Sequence, residues 1–310
     1  MPTSTNFWRN KQVIVTGTSG FVGGHLTSKL ISLGATVVGV SRSHGSSIDV
    51  TNRESLAPLF QKRPSAVFHL AGEALVEKGQ EAPYDTFRTN LMGTLNILEL
   101  SRVHHIPRLI IASTAHVYGE GHPPFHEDDP PRPSRPYETS KTATDLLAQS
   151  YADSFNLPVV IPRFVNIYGP GDTNFTRLIP KTLQYMLQKK PVPMWGGKAK
   201  REYLYIDDAV EAYLMMATLS DAKLERNRIF NFGAGKPITV QALIKTIGKL
   251  VDEDIAIVRE KEERIGEIID QYVSWEKASR VLAWKPRVSL DEGLRRTIAW
   301  YKEYLYTTTL

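Results

Sequence analysis

"QVIVTGTSGFVGGHLTSKLISLG" (residues 12–34) decides how the rest of the chain is read. Its first six residues, "QVIVTG" (12–17), form a β-branched apolar run closed by glycine, the pattern of a short buried strand. From Phe21 onward Val22, Leu26, Leu30 and Leu33 recur at helical spacing, and Gly34 ends the repeat. Between strand and helix lies a G-x-x-G-x-x-G turn of Gly17, Gly20 and Gly23, with Ser19, Phe21 and Val22 among the intervening positions. Glycines there permit a tight turn and let backbone amides approach a diphosphate at the positive end of the helix. A glycine triplet alone is common. One that follows the first strand and opens the first helix points to a dinucleotide.

Outward from this turn, "TVVGVS" (36–41), "AVFHLAG" (66–72) and "RLIIAS" (108–113) read as further strands, and "PVVIPRFVNIYG" (158–169) as a strand running into a loop. Helical patterns cover Thr86–Val103 and Tyr137–Phe155. Strands alternating with helices imply a parallel sheet covered on both faces. Beyond about residue 170 the pattern changes to helices at 178–190, 206–218 and 239–251, with one strand at 228–235. The expected fold is therefore α/β: a Rossmann-type, doubly wound parallel sheet over 1–170 and a smaller, mixed substrate-binding domain over 171–310. Parts near 200–235 are expected to return to the first domain. The proline-dense "GHPPFHEDDPPRPSRP" (121–136) reads as a functional loop, a flap over the site.

Composition narrows the functional classes. The chain has 310 residues, 42% hydrophobic and 23% charged, an ordinary globular balance. Its net charge of +5 comes from scattered residues rather than a basic arm, which argues against nucleic acid as partner. With no cysteine, thiolate catalysis and disulfides are excluded. No apolar leader precedes the first strand and no segment approaches a membrane span, so a cytoplasmic protein with no membrane partner is expected. His104, His105, His122 and His126 have no metal-ligand spacing, so no metal is expected.

Two residues carry the candidate chemistry. Tyr137 and Lys141 in "YETSK" stand one helical turn apart on one face. An ammonium beside a phenol eases its ionisation, which suits a general acid/base. Ser113 or Thr114, at the end of the preceding strand, can hydrogen-bond the same substrate hydroxyl. At the end of the second strand stand Ser41 and Arg42, with no carboxylate to hold a ribose 2′-hydroxyl, so NADP(H) is favoured over NAD(H). Asp49 either meets the adenine amino group or caps the helix that begins near Asn52.

The glycine turn, "HLAG" (69–72), Asn90 in "FRTNLMGTLNIL", "STAHVYG" (113–119), "YETSK" (137–141) and "PRFVNIYGPGD" (162–172) together resemble the extended short-chain dehydrogenase/reductases. More narrowly, they resemble the branch of NAD(P)-dependent nucleotide-sugar epimerases, dehydratases and reductases, and the likeness spans nearly the whole chain. It implies a Thr114–Tyr137–Lys141 triad, with Lys141 also on the nicotinamide ribose. It implies cofactor contacts at Asp49, Val50, Leu70, Ala71, Gly72 and Asn90, and a nucleotide-diphosphate sugar as substrate. That substrate would meet Ser113, His116, Asn166, Arg201 and Arg264, with Trp195, Tyr203 and Tyr205 either lining the base pocket or packed in the core. It also implies a homodimer joined through the helices at 86–103 and 140–155.

One departure matters. Dehydratases of this branch keep an Asp-Glu pair after the threonine, where this chain has Ala115 and His116. Alanine transfers no proton, and His116 is either a base or only a strand-end residue. Hydride transfer at C4 survives without the pair, so the expected activity is that of a 4-epimerase. The alternatives are an NADPH-dependent 4-ketoreductase, a dehydratase with atypical acid/base groups, and a cofactor-sensing protein without turnover.

Overall fold

The structure, a computed structural model, describes residues 6–42, 48–251, 256–261 and 268–308. Its first half alternates as the sequence does: β1 (Gln12–Thr16), α1 (Phe21–Ser32), β2 (Thr36–Val40), α2 (Arg53–Gln61) and β3 (Ala66–His69). Three helical pieces follow, α3 (Val76–Glu81), α4 (Pro83–Phe87) and α5 (Gly93–Val103), the last two joined by a π-helical turn at Arg88–Met92. Then come β4 (Leu109–Ile111), β5 (Ser113–Thr114), a 3₁₀ turn at Ala115–Tyr118, and α6 (Pro136–Phe155). The expected continuous helix over 86–103 is thus interrupted. The widened turn carries the buried Asn90 toward the 73–75 segment.

The second half contains β6 (Val159–Phe164), β7 (Asn166–Tyr168), α7 (Leu178–Leu187), β8 (Val192–Trp195), β9 (Lys200–Arg201) and β10 (Tyr203–Tyr205). After α8 (Ile206–Ala217) and α9 (Asp221–Leu224) follow β11 (Ile229–Phe232), β12 (Ile238–Thr239) and α10 (Val240–Val251). The chain closes with β13 (Ile257–Lys261), β14 (Asp270–Gln271), α11 (Glu276–Leu282) and α12 (Leu290–Thr308). Among the described residues no helix is long and apolar enough to cross a membrane.

The main sheet runs β2–β1–β3–β4–β6–β11, with the short β5 also on β6, and every pairing is parallel. Alternate residues of a strand face opposite sides. Accordingly Val13, Val15, Phe68, Ile110 and Val160 enter one apolar core, while Ile14, Val67, Leu109, Ile111 and Ile161 enter the other. That two-sided burial explains why these strands read as continuous apolar runs. The strand order reverses at β1, so β1, β3 and the turns beyond them frame a crevice at the carboxyl ends of the strands, where α/β sheets bind ligands. Smaller sheets lie beyond it: β7 with β10, β9 between β12 and β14, and β8 with β13.

Candidate active site

The glycine turn is shaped by sterics. Gly17 has φ +78°, and a Cβ there would stand 2.9 Å from the Ala71 nitrogen. A Cβ on Gly23 would stand 2.0 Å from the Gly17 carbonyl oxygen. Side chains are excluded where α1 must lie against the turn. No side chain caps α1 at Gly20, so its first amides are available to an anion. Thr18, Ser19, Gly20 and Phe21 line a cleft of about 510 Å³, whose opposite wall includes Asp172, Asn174 and Arg177. This cradle fits a dinucleotide diphosphate.

Behind the turn, Thr16 organises the "HLAG" stretch. Its Oγ1 accepts from the Leu70 and Ala71 amides at 3.1 and 3.0 Å and pairs with His69 Nδ1 at 2.8 Å. Burial, with some help from the Lys141 charge, drives the His69 pKa down to about 3, so this imidazole is neutral. Gly72 lies against Asn90, whose Oδ1 would be 2.8 Å from a Cβ there. Asn90 accepts from Glu73 N at 2.7 Å and donates to Ser140 Oγ at 2.9 Å. Ser140 in turn donates to the Tyr137 carbonyl at 2.7 Å. Asn90 therefore fastens the β3 loop to the first turn of α6.

At the adenosine end, Ser41 and Arg42 follow β2, with Arg42 exposed and Val50 buried. Asp49 accepts from the amide and hydroxyl of Thr51, both at 2.8 Å. Partial burial opposes its ionisation, but the Thr51 bonds and the Arg42 and Arg88 charges win and lower its pKa. The cap of α2 is Asn52, which accepts from Ser55 N at 3.0 Å, so Asp49 does not perform that task.

At the chemical end, the Thr114 hydroxyl and the Tyr137 phenol are interacting neighbours, both buried. Lys141 is half-buried on the same face of α6, and its Nζ donates to the Ala112 carbonyl at 2.5 Å. The phenol is not eased toward ionisation as the spacing suggests. Burial dominates and pushes the Tyr137 pKa up to about 12, while Thr114 and the Arg177 charge pull the other way. Burial lowers Lys141 to about 8 against the attraction of Asp145.

His116 lies beside the pair, its ring 5.9 Å from that of Tyr137 in a T-shaped arrangement. His116 Nδ1 stands 3.7 Å from Oε1 of the fully buried Glu138. Glu138 Oε2 accepts from Ser134 and Arg135 amides at 3.2 and 3.3 Å, which caps α6. Burial opposes ionisation of Glu138, yet His116, the Ser134 amide and Arg135 hold its pKa below the usual carboxylate value.

The structure gives other expected residues scaffold partners. Ser113 donates to Asp145 Oδ2 at 2.7 Å, a carboxylate that also holds both faces of the buried Arg163 fork at 2.9 and 3.0 Å. Arg201 donates to the Ile269 and Ile268 carbonyls at 3.0 and 2.5 Å, clasping the 268–269 segment. Asn166 donates to the Glu202 carbonyl at 3.3 Å. Tyr203 and Tyr205 are buried against Tyr168 and belong to the core. Trp195 ends β8. Arg264 lies outside the described residues.

Two residues that the sequence reading passed over join the site. Arg177 is held by Asp172 through two 3.0 Å bonds, and Asp172 is itself buried, its carbonyl accepting from the Tyr301 hydroxyl. The Arg177 guanidinium faces the cleft and its charge reaches Tyr137. An acid and a base five apart after "YGPG" was the available signal. The other is Glu138, hidden in "YETSK" by its neighbours.

A family model described as "NAD dependent epimerase/dehydratase family" matches residues 13–233, which include the glycine turn, Thr114, Tyr137 and Lys141. The chain belongs to that family. A UDP-glucuronate 4-epimerase of Thermodesulfobacterium geofontis is 31% identical to it over 323 residues, covering 94% of this chain and 96% of the relative. Among solved structures, UDP-glucose 4-epimerase of Thermotoga maritima with UDP-glucose superposes with a TM-score of 0.89 at 30% identity, covering 95% and 99% of the two chains. UDP-glucose 4-epimerase of Thermus thermophilus in complex with NAD gives 0.85 at 27% identity, covering 94% and 99%. The doubly wound sheet with its C-terminal portion is thus that of the epimerase/dehydratase family, and the chain is an enzyme of the nucleotide-sugar epimerase/dehydratase group. A nicotinamide dinucleotide is its cofactor.

Proposed function

We propose that this enzyme is a nucleotide-sugar 4-epimerase whose acid/base is Tyr137. The observation that carries the reading is the buried Thr114–Tyr137 pair one helical turn before Lys141, together with a glycine turn from which side chains are sterically excluded. Bound there, the nicotinamide supplies a hydride acceptor and donor. In its phenolate form Tyr137 holds the C4 hydroxyl together with Thr114 and takes its proton as the carbon is oxidised; the phenol so formed returns one when the carbonyl is reduced from its other face. Lys141, held by the Ala112 carbonyl, is the cation that would hold the nicotinamide ribose. Among the epimerase's relatives, the UDP-glucuronate 4-epimerase supports C4 as the reacting carbon.

On the sugar-nucleotide side, residues 171–310 supply the binding surface. Arg177, fixed by Asp172, offers an oriented guanidinium to phosphate oxygens. Asn166 completes that side, while Arg201 holds the 268–269 segment in position. NADP(H) is preferred over NAD(H), supported by the exposed Arg42 after β2 and the lack of a carboxylate there. Exposed Met92, Val103, Leu146 and Phe155 on and beside α5 and α6 support pairing of two chains through those helices.

The deciding experiment is incubation with UDP-, GDP-, CDP- and dTDP-sugars, read by chromatography and mass spectrometry. An epimerase yields a product of unchanged mass and altered retention. Loss of water indicates a dehydratase, and a gain of two hydrogens with NADPH a reductase. Tyr137→Phe lowers turnover by about 10²–10⁴-fold with little change in cofactor affinity. A variant with full activity removes Tyr137 from its role.

A further inference from the structure

Ala115 and His116 stand where 4,6-dehydratases keep their Asp-Glu pair, and His116 faces a carboxylate, Glu138, that the epimerase mechanism leaves unused. His116 and Glu138 come from different elements, the 3₁₀ turn after β5 and the first turn of α6. Their facing atoms, Nδ1 and Oε1, are both buried and, among the described residues, neither has a hydrogen-bond partner. Leaving a carboxylate oxygen unpaired in the interior is costly. The only function the capping requires of Glu138 is already met by its other oxygen. At 3.7 Å, a small rotation of the imidazole closes the gap.

The other edge of the ring is the more open one. The His116 side chain keeps 22% of its exposure, whereas Glu138 keeps none. Nε2 is not among the buried unpartnered atoms. The ring packs edge-on to Tyr137, so a sugar with its C4 oxygen at the phenol brings its neighbouring carbons toward the imidazole. The surrounding charges are Arg135, which acts on Glu138, and Arg177 and Glu73, which act on Tyr137.

We propose that His116, oriented by Glu138, is a second acid/base of this site, acting on the C–H bond next to the C4 carbonyl of an oxidised nucleotide sugar. The neutral imidazole takes the proton at Nε2. The C–H electron pair becomes the carbon–carbon double bond of an enolate, and the carbonyl oxygen, now negative, accepts from the Tyr137 phenol. The imidazolium presents its Nδ1–H to Glu138 and returns a proton to the carbon, restoring the ketone with no net oxidation. His116 is the catalytic group and Glu138 the positioning one. The inference extends the C4 oxidation proposed above, since that oxidation would generate the ketone in place.

The test bypasses hydride transfer by supplying the ketone directly. The enzyme is incubated with UDP-4-keto-6-deoxyglucose in deuterium oxide, and wash-in at the carbons flanking the carbonyl is followed by proton NMR and mass spectrometry. Wild type is expected to exchange well above the buffer rate, and His116→Gln about 100-fold more slowly, with folding checked by thermal unfolding. Glu138→Gln keeps an oxygen for the cap and removes the charge. It slows the exchange about 10-fold while leaving keto-sugar binding unchanged, because the imidazole loses the carboxylate that orients it. A purely structural Glu138 would leave the exchange rate of the folded variant in place. Wild-type exchange at the buffer rate, or exchange untouched in His116→Gln, overturns the proposal. The C4 reading is checked separately by epimer formation from nucleotide sugars, read as altered retention at unchanged mass. Exchange without epimer formation keeps His116 and rejects C4 oxidation; the reverse result keeps C4 oxidation and rejects His116.

Discussion

Lys141 stands one turn from Tyr137, yet its ammonium donates to the Ala112 carbonyl and its pKa falls from 10.5 to about 8 because burial disfavours the charge. Stability should record this. Between about pH 8 and 10 the unfolded chain binds more protons at Lys141 than the folded one, so this residue makes stability rise with pH across that window. Tyr137 has the opposite sign: its folded pKa is about 12 against 10.0, so its contribution is lost as pH climbs above 10. Removing the ammonium with Lys141→Met should abolish the rise, an effect of roughly 3 kcal/mol at most. Urea unfolding of both proteins at several pH values measures it; parallel curves would mean that Lys141 is not charged at a cost in the fold. The pair itself was legible, since "YETSK" places both groups on one helix face. The balance of burial against charge was not, because it depends on what packs over them.

At the level of elements, the π-helical turn at Arg88–Met92 is what brings Asn90 into place. Turns of this kind often sit at functional sites. Read from sequence, Asn90 was a cofactor contact; in the fold its amide bridges the β3 loop to α6 through Glu73 and Ser140, and its polar atoms are engaged there. Asn90→Ala leaves the Glu73 amide without its acceptor and should cost about 1–3 kcal/mol. Ser140→Ala should cost less. Because the two share one bond, the double variant should fall short of the sum. A double-mutant cycle on urea midpoints decides; strict additivity would deny that the bridge is one unit. No local pattern announces such a bridge, since its ends lie 17 and 50 residues from Asn90.

Across the whole molecule, the buried Asp145–Arg163 pair ties together parts that are distant in sequence. Asp145 lies on α6 and Arg163 on β6; Ser113 joins from β5, and the Arg163 fork also reaches Tyr118 at 3.0 Å. Tyr118 donates to Asn231 on β11, whose amide group holds the Phe125 carbonyl in the proline-dense segment. The loop expected to act as a flap is thus anchored at Phe125 and Glu127, and Glu127 accepts from the Asn231 amide at 2.8 Å. Asp145→Ala strands a buried guanidinium and should cost about 3–5 kcal/mol. Thermal and urea unfolding test it, and a change below 1 kcal/mol would mean that the charge finds water or another partner.

What the sequence by itself determined is whatever rests on local periodicity and turn sterics. The parallel sheet, the glycine cradle at Gly17 and Gly23 and the position of Tyr137 and Lys141 on one face all follow from spacing. Only the tertiary structure decided which partner each polar group takes. Ser113 goes to Asp145, Arg201 to the 268–269 carbonyls, Lys141 to Ala112, and Arg177 through Asp172 to the cleft. The reason is competition: several acceptors are chemically adequate for each donor, and long-range packing alone fixes which one is near and dry.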